Sequence, residues 1–259
     1  MRTEKMRIVE QREIARHIFE TRLEGALAAE VKAPGQFVHV RIGDGFDPLL
    51  RRPISICDVD ADMGTITLIY RAEGAGTRKM ASLSANSPLD VLGPLGNGFP
   101  IDVCPAGGRA LLVGGGIGVP PLYGLAKQLR RHGVQTVHVH GFSDADVVFY
   151  EEAFAELGTT FITTVDGSKG TKGFVTDVIE AEALDYDVMY ACGPLPMLKA
   201  LEDQYGDQPL YLSLEQRMGC GIGACFACVC HVKNDPNGTE YRKVCSDGPV
   251  FKAGEVVLA

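Results

Sequence analysis

Hydrophobic and polar positions alternate over short runs in the first hundred residues of the chain. Turn-forming pairs such as Pro34-Gly35 and Met63-Gly64 separate these runs, and the pattern is typical of β-strands. The runs are Phe37–Ile42, Ile54–Cys57, Thr65–Tyr70 and Leu89–Leu92. One short helix is predicted at Thr77–Leu83. Many short strands at this spacing favour a closed antiparallel barrel over residues 1–101.

The pattern changes after the turn-rich segment Gly93–Pro100, because apolar strands now alternate with amphipathic helices. The predicted strands are Leu111–Val113, Thr136–His140, Thr160–Thr164 and Asp187–Ala191, and the predicted helices are Leu122–His132, Tyr150–Leu157, Val175–Ala181 and Pro196–Tyr205. This alternation predicts a parallel sheet with helices on both faces over residues 102–210. Residues 211–259 form a short cysteine-rich segment. The expected fold class is therefore multidomain, with α+β and α/β parts and a small C-terminal module.

Composition narrows the classes of partner. The 259 residues are 46% hydrophobic and carry a formal net charge of −8, which argues against binding to nucleic acid. The longest apolar run, Ala110–Val119, is interrupted by glycines, so we expect no membrane-spanning helix. The charged N-terminus has no apolar core of a signal peptide, and eight cysteines without one favour a reducing compartment. We therefore expect a cytoplasmic protein.

The cysteine-rich segment carries the most specific chemical signal. Its cysteines follow the spacing C-x4-C-x2-C with a fourth further on, which is the spacing of a plant-type [2Fe–2S] site. They are Cys220, Cys225, Cys228 and Cys245, and three glycines at 219, 221 and 223 would let the backbone approach a cluster closely. Two alternatives stay open, namely buried or disulfide-bonded thiols and a zinc site. Cys230 also leaves the third ligand open between itself and Cys228.

Two segments of the predicted barrel are suited to phosphate. Arg51–Ser55 places arginines and a proline at the start of a strand, and arginine can neutralise a diphosphate. Tyr70–Thr77 runs from a strand end through glycines into a helix, whose first N–H groups are free to bind phosphate. Arg51–Ser55 alone is more typical of a solvated turn, and it gains weight from Tyr70–Thr77. Together they favour a flavin dinucleotide lying along the barrel.

A glycine turn in the α/β region is suited to a second dinucleotide. Gly114–Gly118 follows a buried strand and opens a helix, as such a turn requires, although Val119 and two prolines replace the third glycine of the usual fingerprint. Cys192 and Gly193 end the last predicted strand, where open α/β sheets bind ligands. Cys192 could contact a nicotinamide or be a small buried residue.

The preference between the two nicotinamide cofactors depends on the turn after Thr136–His140. That turn holds Asp144 and Asp146 and no arginine. A carboxylate there can accept a hydrogen bond from a ribose hydroxyl, whereas a 2′-phosphate would need basic groups. The sequence therefore favours NAD over NADP.

The order of these motifs resembles the ferredoxin–NADP reductase superfamily. With the C-terminal cysteines and the segment Gly93–Phe99, the whole chain resembles the electron-transfer subunits of NAD-linked (type B) dihydroorotate dehydrogenase. The resemblance implies FAD in the barrel, NAD on the α/β domain and a [2Fe–2S] cluster facing a partner. The residues it implies for FAD are Arg52, Pro53, Ile54, Ser55, Leu68, Ile69, Tyr70, Gly76 and Thr77; those for NAD are Gly115, Gly116, Ile117, Gly118, Cys192 and Gly193; and those for the cluster are Cys220, Cys225, Cys228 and Cys245. It prefers Cys228 over Cys230 and implies no catalytic acid or base in this chain.

The function implied by this resemblance is electron transfer in pyrimidine biosynthesis. Electrons would pass from an FMN-containing catalytic subunit through the cluster and FAD to NAD⁺, within a heterotetramer of two subunits of each kind. Two alternative functions belong to other classes of protein. One is the small subunit of an electron-bifurcating transhydrogenase or a sulfide dehydrogenase, and the other is a redox sensor without enzymatic activity.

Overall fold

The computed structural model describes residues 1–43, 45 and 48–258. Ala259, the last residue of the predicted cysteine-rich segment, lies outside the described residues. The architecture is a closed antiparallel barrel, a seven-stranded sheet with helices on both faces, and a small two-stranded hairpin that the four predicted cluster cysteines flank. The barrel precedes the sheet along the chain, and the last strand of the sheet comes after the hairpin.

The barrel comprises six strands in the order β1-β2-β5-β4-β3-β6. They are β1 (Arg2–Ala15), β2 (Ile18–Glu24), β3 (Phe37–Arg41), β4 (Arg52–Asp60), β5 (Thr65–Arg71) and β6 (Pro88–Leu95), and helix α1 (Ala75–Ala81) follows β5. Side chains such as Met6, Val38 and Leu68 fill its interior. The four predicted runs lie in β3 to β6. The first two strands were missed because charged residues dominate β1, where Met6 and Ile8 are the buried side chains.

The second sheet has the order β10-β9-β8-β7-β11-β12-β15, and all its pairs are parallel except the last. Its elements are β7 (Arg109–Gly115), α2 (Pro120–Arg131), β8 (Gln135–Phe142), α3 (Glu151–Ala155), β9 (Thr159–Thr164), β10 (Thr171–Lys172), α4 (Val175–Ala181), β11 (Val188–Cys192), α5 (Leu195–Tyr205) and β12 (Leu210–Ser213). Helices α2 and α3 bury Leu125 and Phe154 on one face. Helices α4 and α5 bury Ile179 and Leu201 on the other.

The cysteine-rich segment is joined to this sheet. Its strands are β13 (Val229–His231), β14 (Tyr241–Lys243) and β15 (Val250–Lys252). The first two form a hairpin, and β15 pairs antiparallel with β12 through Tyr211 and Lys252. The predicted boundary between residues 210 and 211 falls inside β12, so the backbone passes from sheet to cluster segment without a linker.

Polar contacts fix the barrel against the other two parts. Lys127 of α2 lies 2.5 Å from the carboxylate of Asp58 in β4. Asn97, just after β6, donates hydrogen bonds to backbone carbonyls of the cluster segment, including one from its Nδ2 to the Asp247 carbonyl at 2.9 Å. No helix among the described residues is long and apolar enough to span a membrane.

Candidate cofactor sites at the domain junction

A cavity of about 490 Å³ opens where the barrel meets the α/β sheet. Its lining brings together seven of the residues predicted to bind FAD or NAD: Pro53, Ile54, Ser55, Ile69, Tyr70, Thr77 and Ile117. The barrel residues come from β4, β5 and α1, which are adjacent in the barrel. Ile117 comes from the glycine turn after β7. The cavity is therefore shared between the predicted flavin and nicotinamide sites.

Tyr70 is fixed in the cavity wall by its neighbours. Its ring stacks on Phe19 with centroids 6.1 Å apart, and its hydroxyl lies 3.1 Å from Oε1 of Gln11. Burial raises the pKa of Tyr70 to about 12, so the phenol is neutral at physiological pH. The same Gln11 donates from Nε2 to backbone carbonyls at the end of α1, including that of Leu83 at 2.8 Å. Gln11 therefore holds both the Tyr70 hydroxyl and the end of helix α1 in place.

The two predicted phosphate-binding segments lie against each other. A Cβ on Gly76 would lie 2.7 Å from Nε of Arg52, so the guanidinium packs directly on the first turn of α1. Thr77 closes that turn, since its Oγ1 accepts a hydrogen bond from the Gly74 N–H at 3.1 Å. A positive side chain and a helix start at one edge of the cavity fit a diphosphate. Leu68 is also predicted to bind FAD, but its side chain packs inside the barrel and is not part of the cavity lining.

Sequence reasoning missed part of the cavity lining. Phe37 and Arg71 line it from the barrel, and Glu215 and Met218 from the segment after β12. The side chain of Glu215 reaches solvent, but burial among the surrounding atoms raises the pKa of its carboxyl. The positive charge of Arg71 acts in the opposite direction. Arg71 directly follows the predicted Tyr70, so its position in the strand was an available signal. No motif marked Glu215.

The predicted nicotinamide residues converge because β7 and β11 are neighbours. Gly114 pairs with Cys192 across the two parallel strands, so the turns that follow them meet. A Cβ on Gly118 would lie 2.3 Å from the carbonyl oxygen of Cys192, and one on Gly193 would lie 3.0 Å from the backbone of Gly115. Glycine is required at both turns for this packing. Gly116 has φ +52° and faces Arg71 at the cavity.

Cys192 itself is buried, with 1% of its surface exposed. Burial raises the pKa of its thiol well above the usual value. This burial agrees with a small buried side chain beneath the turn, and contact of Cys192 with a nicotinamide stays a prediction.

The two acids of the turn after β8 are both paired. Arg16, in the turn between β1 and β2, lies 2.7 Å from Asp144 and 2.8 Å from Asp146. Asp144 also accepts a hydrogen bond from the Asp146 N–H. Sequence reasoning missed this arginine, which is more than a hundred residues away along the chain. The acids are thus fixed by an ion pair between the barrel and the α/β sheet.

The cluster cysteines lie in a loop whose backbone N–H groups point at the cysteine sulfurs. The N–H of Cys225 points at Cys220 Sγ at 3.3 Å, and that of Gly223 points at Cys245 Sγ at 3.2 Å. Burial opposes ionisation of Cys220, but backbone N–H groups, led by that of Ile222, outweigh it and lower its pKa to about 7. Burial raises the pKa of Cys245 to about 11. Gly221 and Gly223, at φ +73° and +79°, give the loop its curvature.

The thiols of this loop form two pairs. Cys220 lies against Cys225, and Cys228 lies against Cys245. A [2Fe–2S] cluster needs two thiolates for each iron, so this donor set fits it. All eight cysteines are free, unlike in the disulfide alternative. Within the part of the chain that the structure describes, no three His, Cys, Asp or Glu side chains gather closely enough to hold one metal ion.

Cys230 has a different environment from Cys228. Its Sγ points to the carbonyl oxygen of Arg242 across the β13–β14 hairpin at 3.5 Å, and burial raises the pKa of its thiol. The pairing of Cys228 with Cys245 therefore supports Cys228 as the third ligand.

Comparison with known proteins places these sites in a family. Residues 215–257 match the iron-sulfur cluster binding domain of dihydroorotate dehydrogenase B, and residues 112–203 match the oxidoreductase NAD-binding domain. The chain is 58% identical over 258 residues to the dihydroorotate dehydrogenase B (NAD(+)), electron transfer subunit, of Bacillus cereus (strain G9842), with 100% of both chains covered. The corresponding subunit of Bacillus anthracis (strain CDC 684 / NRRL 3495) matches equally well. The chain belongs to this family of electron transfer subunits.

Solved structures with the same architecture extend beyond the family. A chain of the NADH-dependent reduced ferredoxin–NADP oxidoreductase, studied for flavin-based electron bifurcation, superposes with a TM-score of 0.86 at 29% identity, covering 98% of this chain and 90% of that one. The ferredoxin reductase of carbazole 1,9a-dioxygenase gives a TM-score of 0.68 at 18% identity, covering 81% of this chain and 66% of that one, and shows the fold alone. The predicted family and fold class are confirmed. The individual FAD and NAD contacts stay predictions.

Proposed function

We propose that this chain is the electron transfer subunit of a type B dihydroorotate dehydrogenase in pyrimidine biosynthesis, and that it exchanges electrons between NAD(H) and an FMN-containing catalytic subunit. It is an oxidoreductase subunit that uses FAD, NAD and a [2Fe–2S] cluster. The observation that carries this proposal is the full-length identity of 58% to such subunits. The adjacency of three suitable sites in one fold agrees with it.

The residues of the chain provide binding and orientation. When bound, the cluster carries single electrons and NAD⁺ takes a hydride, and FAD can exchange with both, so FAD belongs between them. Arg52 and the start of α1 would hold the FAD diphosphate, and Tyr70 would pack along the flavin. Gly116, which faces Arg71 at the same cavity, would leave space for the nicotinamide. No general base is needed, because dihydroorotate is oxidised on the partner.

The surface around the cluster loop supports docking of that partner. Three apolar side chains, Ile222, Phe226 and Tyr241, are 46%, 60% and 40% exposed beside the cluster cysteines. The rings of Phe226 and Tyr241 lie 5.2 Å apart, and Lys243 Nζ lies 4.8 Å from the Phe226 ring centre. An exposed aromatic group of this kind is typical of interface centres. We infer a heterotetramer of two subunits of each kind. We also infer a cytoplasmic location, which the free thiols fit because the cytoplasm is reducing.

The alternative is the small subunit of an electron-bifurcating transhydrogenase or a sulfide dehydrogenase. The TM-score of 0.86 to a bifurcating oxidoreductase shows that the same layout occurs there. The identity of 29% in that comparison is half of that to the dihydroorotate dehydrogenase subunits. We therefore favour dihydroorotate oxidation.

Coupled turnover tests the proposal. The purified chain, mixed with an FMN-containing dihydroorotate dehydrogenase subunit, should reduce NAD⁺ only when dihydroorotate is present. The chain alone should pass electrons from NADH to an artificial dye, which a redox sensor without enzymatic activity would not do. Dye reduction without any dihydroorotate-dependent NAD⁺ reduction would contradict the proposed partner.

A further inference from the structure

His39 is a buried polar side chain without a partner. It lies in β3 with 0% of its surface exposed, and neither ring nitrogen has a hydrogen bond in the structure. The carbonyls of Cys220 and Arg51 lie near the ring, but neither meets the geometry of a hydrogen bond. Burial of an unpaired polar group is costly. Both ring nitrogens are therefore available for a further hydrogen bond.

The imidazole lies directly beneath the cluster loop. A Cβ on Gly221 would lie 2.5 Å from Nδ1 of His39, so the loop approaches the ring as closely as a glycine allows. Gly221 is the residue after Cys220, the first cluster cysteine. Burial lowers the pKa of His39, and a neutral imidazole has one N–H to donate and one acceptor nitrogen.

The same strand forms a wall of the flavin cavity. Phe37 pairs with Ser55 and His39 pairs with Pro53 across β3 and β4, and Phe37, Pro53 and Ser55 all line the cavity. His39 therefore lies between the cavity and the cluster loop.

Arg51 fixes the backbone of His39 from the other side. Its Nη1 donates to the carbonyl oxygens of His39 and Asp90 at 3.1 Å each. Its guanidinium also pairs with the Asp90 carboxylate at 2.8 Å. The histidine is thus held on a rigid part of the barrel, as a residue that positions a cofactor loop needs to be.

We propose that His39 is a positioning residue for the iron–sulfur site, whose imidazole N–H is directed at the Cys220–Gly221 turn and holds the cluster loop on the barrel wall next to the flavin cavity. The proposal rests on the proposed function only in that this loop holds a [2Fe–2S] cluster. Hydrogen bonds around cluster sulfurs tune the reduction potential. His39 would therefore affect both retention of the cluster and its potential.

The test compares replacements of His39 in the full chain with FAD and cluster reconstituted. His39→Leu removes the N–H, whereas His39→Asn keeps a donor near the position of Nδ1. We expect His39→Leu to lose the cluster to a chelator about 10-fold faster and to shift its midpoint potential to a more negative value. His39→Asn should stay near the wild type in both measurements. His138→Asn, a buried histidine remote from the loop, is the matched control and should leave the potential unchanged.

Two results would overturn the proposal. One is a midpoint potential and a chelation rate that His39→Leu leaves at wild-type values. The other is a His39→Asn protein as impaired as His39→Leu, which would indicate packing alone. If His39→Leu does not fold, His39→Val gives the same comparison, because valine suits a strand and also lacks a donor. None of these readouts involves dihydroorotate, so a wild-type protein that holds its cluster but fails to couple to dihydroorotate would contradict the proposed function and leave this inference standing.

Discussion

Cys228 and Cys230 are two residues apart and both buried, yet they face different groups. The thiol of Cys228 lies against Cys245, whereas that of Cys230 points to the Arg242 carbonyl. Sequence spacing alone could not separate them, because either cysteine can follow Cys225 in a short loop. Cys228 lies just before β13 and Cys230 lies within it, so the fold of the chain, and not the spacing, sets which of the two thiols faces Cys245.

Serine substitutions at these two positions should have opposite outcomes. Cys228→Ser removes a thiolate from one of the two cysteine pairs, so we expect nearly complete loss of the iron–sulfur absorption and of bound iron. Cys230→Ser changes one weak contact to a carbonyl and should retain both at close to wild-type levels. Iron content and the visible spectrum of the purified variants measure this. Equal loss of iron from both variants would show that Cys230 takes part in cluster binding.

Strand β8 carries two histidines into the core beneath α3. The rings of His138 and His140 lie 4.9 Å and 4.2 Å from that of Phe154, and His138 Nδ1 lies 2.9 Å from Thr160 Oγ1. Burial lowers the pKa of His138 to about 3 and that of His140 well below its usual value. Both rings are therefore neutral in the folded protein at physiological pH.

These histidines make the protein sensitive to acid. Because each folded pKa is below the unfolded value of 6.5, the unfolded chain binds protons first as the pH falls. Stability is unaffected above pH 6.5 and is lost progressively between pH 6.5 and about 3, with a slope of about 1.4 kcal/mol per pH unit for each histidine. His138→Asn should reduce the slope by about that amount in denaturant unfolding of the chain. The exposed His132→Asn is the control, and equal slopes for wild type and His138→Asn would contradict the assignment.

At the scale of elements, the sequence predicted a strand or helix wherever the hydrophobic pattern within that segment was clear. The runs that became β3 to β6 alternate, and the helices from α2 to α5 follow strands with a clear change of period. Strand β1 was missed because its pairing depends on backbone hydrogen bonds to β2 and β6, while its side chains are mostly charged. Strand β15 was missed because three residues carry too little pattern, and its pairing with β12 is a long-range contact.

At the scale of the molecule, three candidate cofactor sites follow one another through the fold. The glycine turn that ends at Gly118 meets the flavin cavity at Ile117, and the opposite wall of that cavity contacts the cluster loop through His39. The motifs predicted each site separately. Their adjacency could not be predicted, because it depends on Arg16, Glu215 and His39, which no motif marks and which only tertiary packing brings into place.

The direct test of this arrangement is the Cys225→Ala variant, measured in two assays on the same preparation. Cys225 is remote from the nicotinamide turn, so NADH-dependent reduction of a dye should stay near the wild-type rate. Dihydroorotate-dependent reduction of NAD⁺ with the partner subunit should be abolished, because the cluster lies between the flavin cavity and the exposed loop. Cys230→Ser is the matched control and should retain both activities. A Cys225→Ala protein that still couples dihydroorotate to NAD⁺ would contradict the placement of the cluster on the electron path.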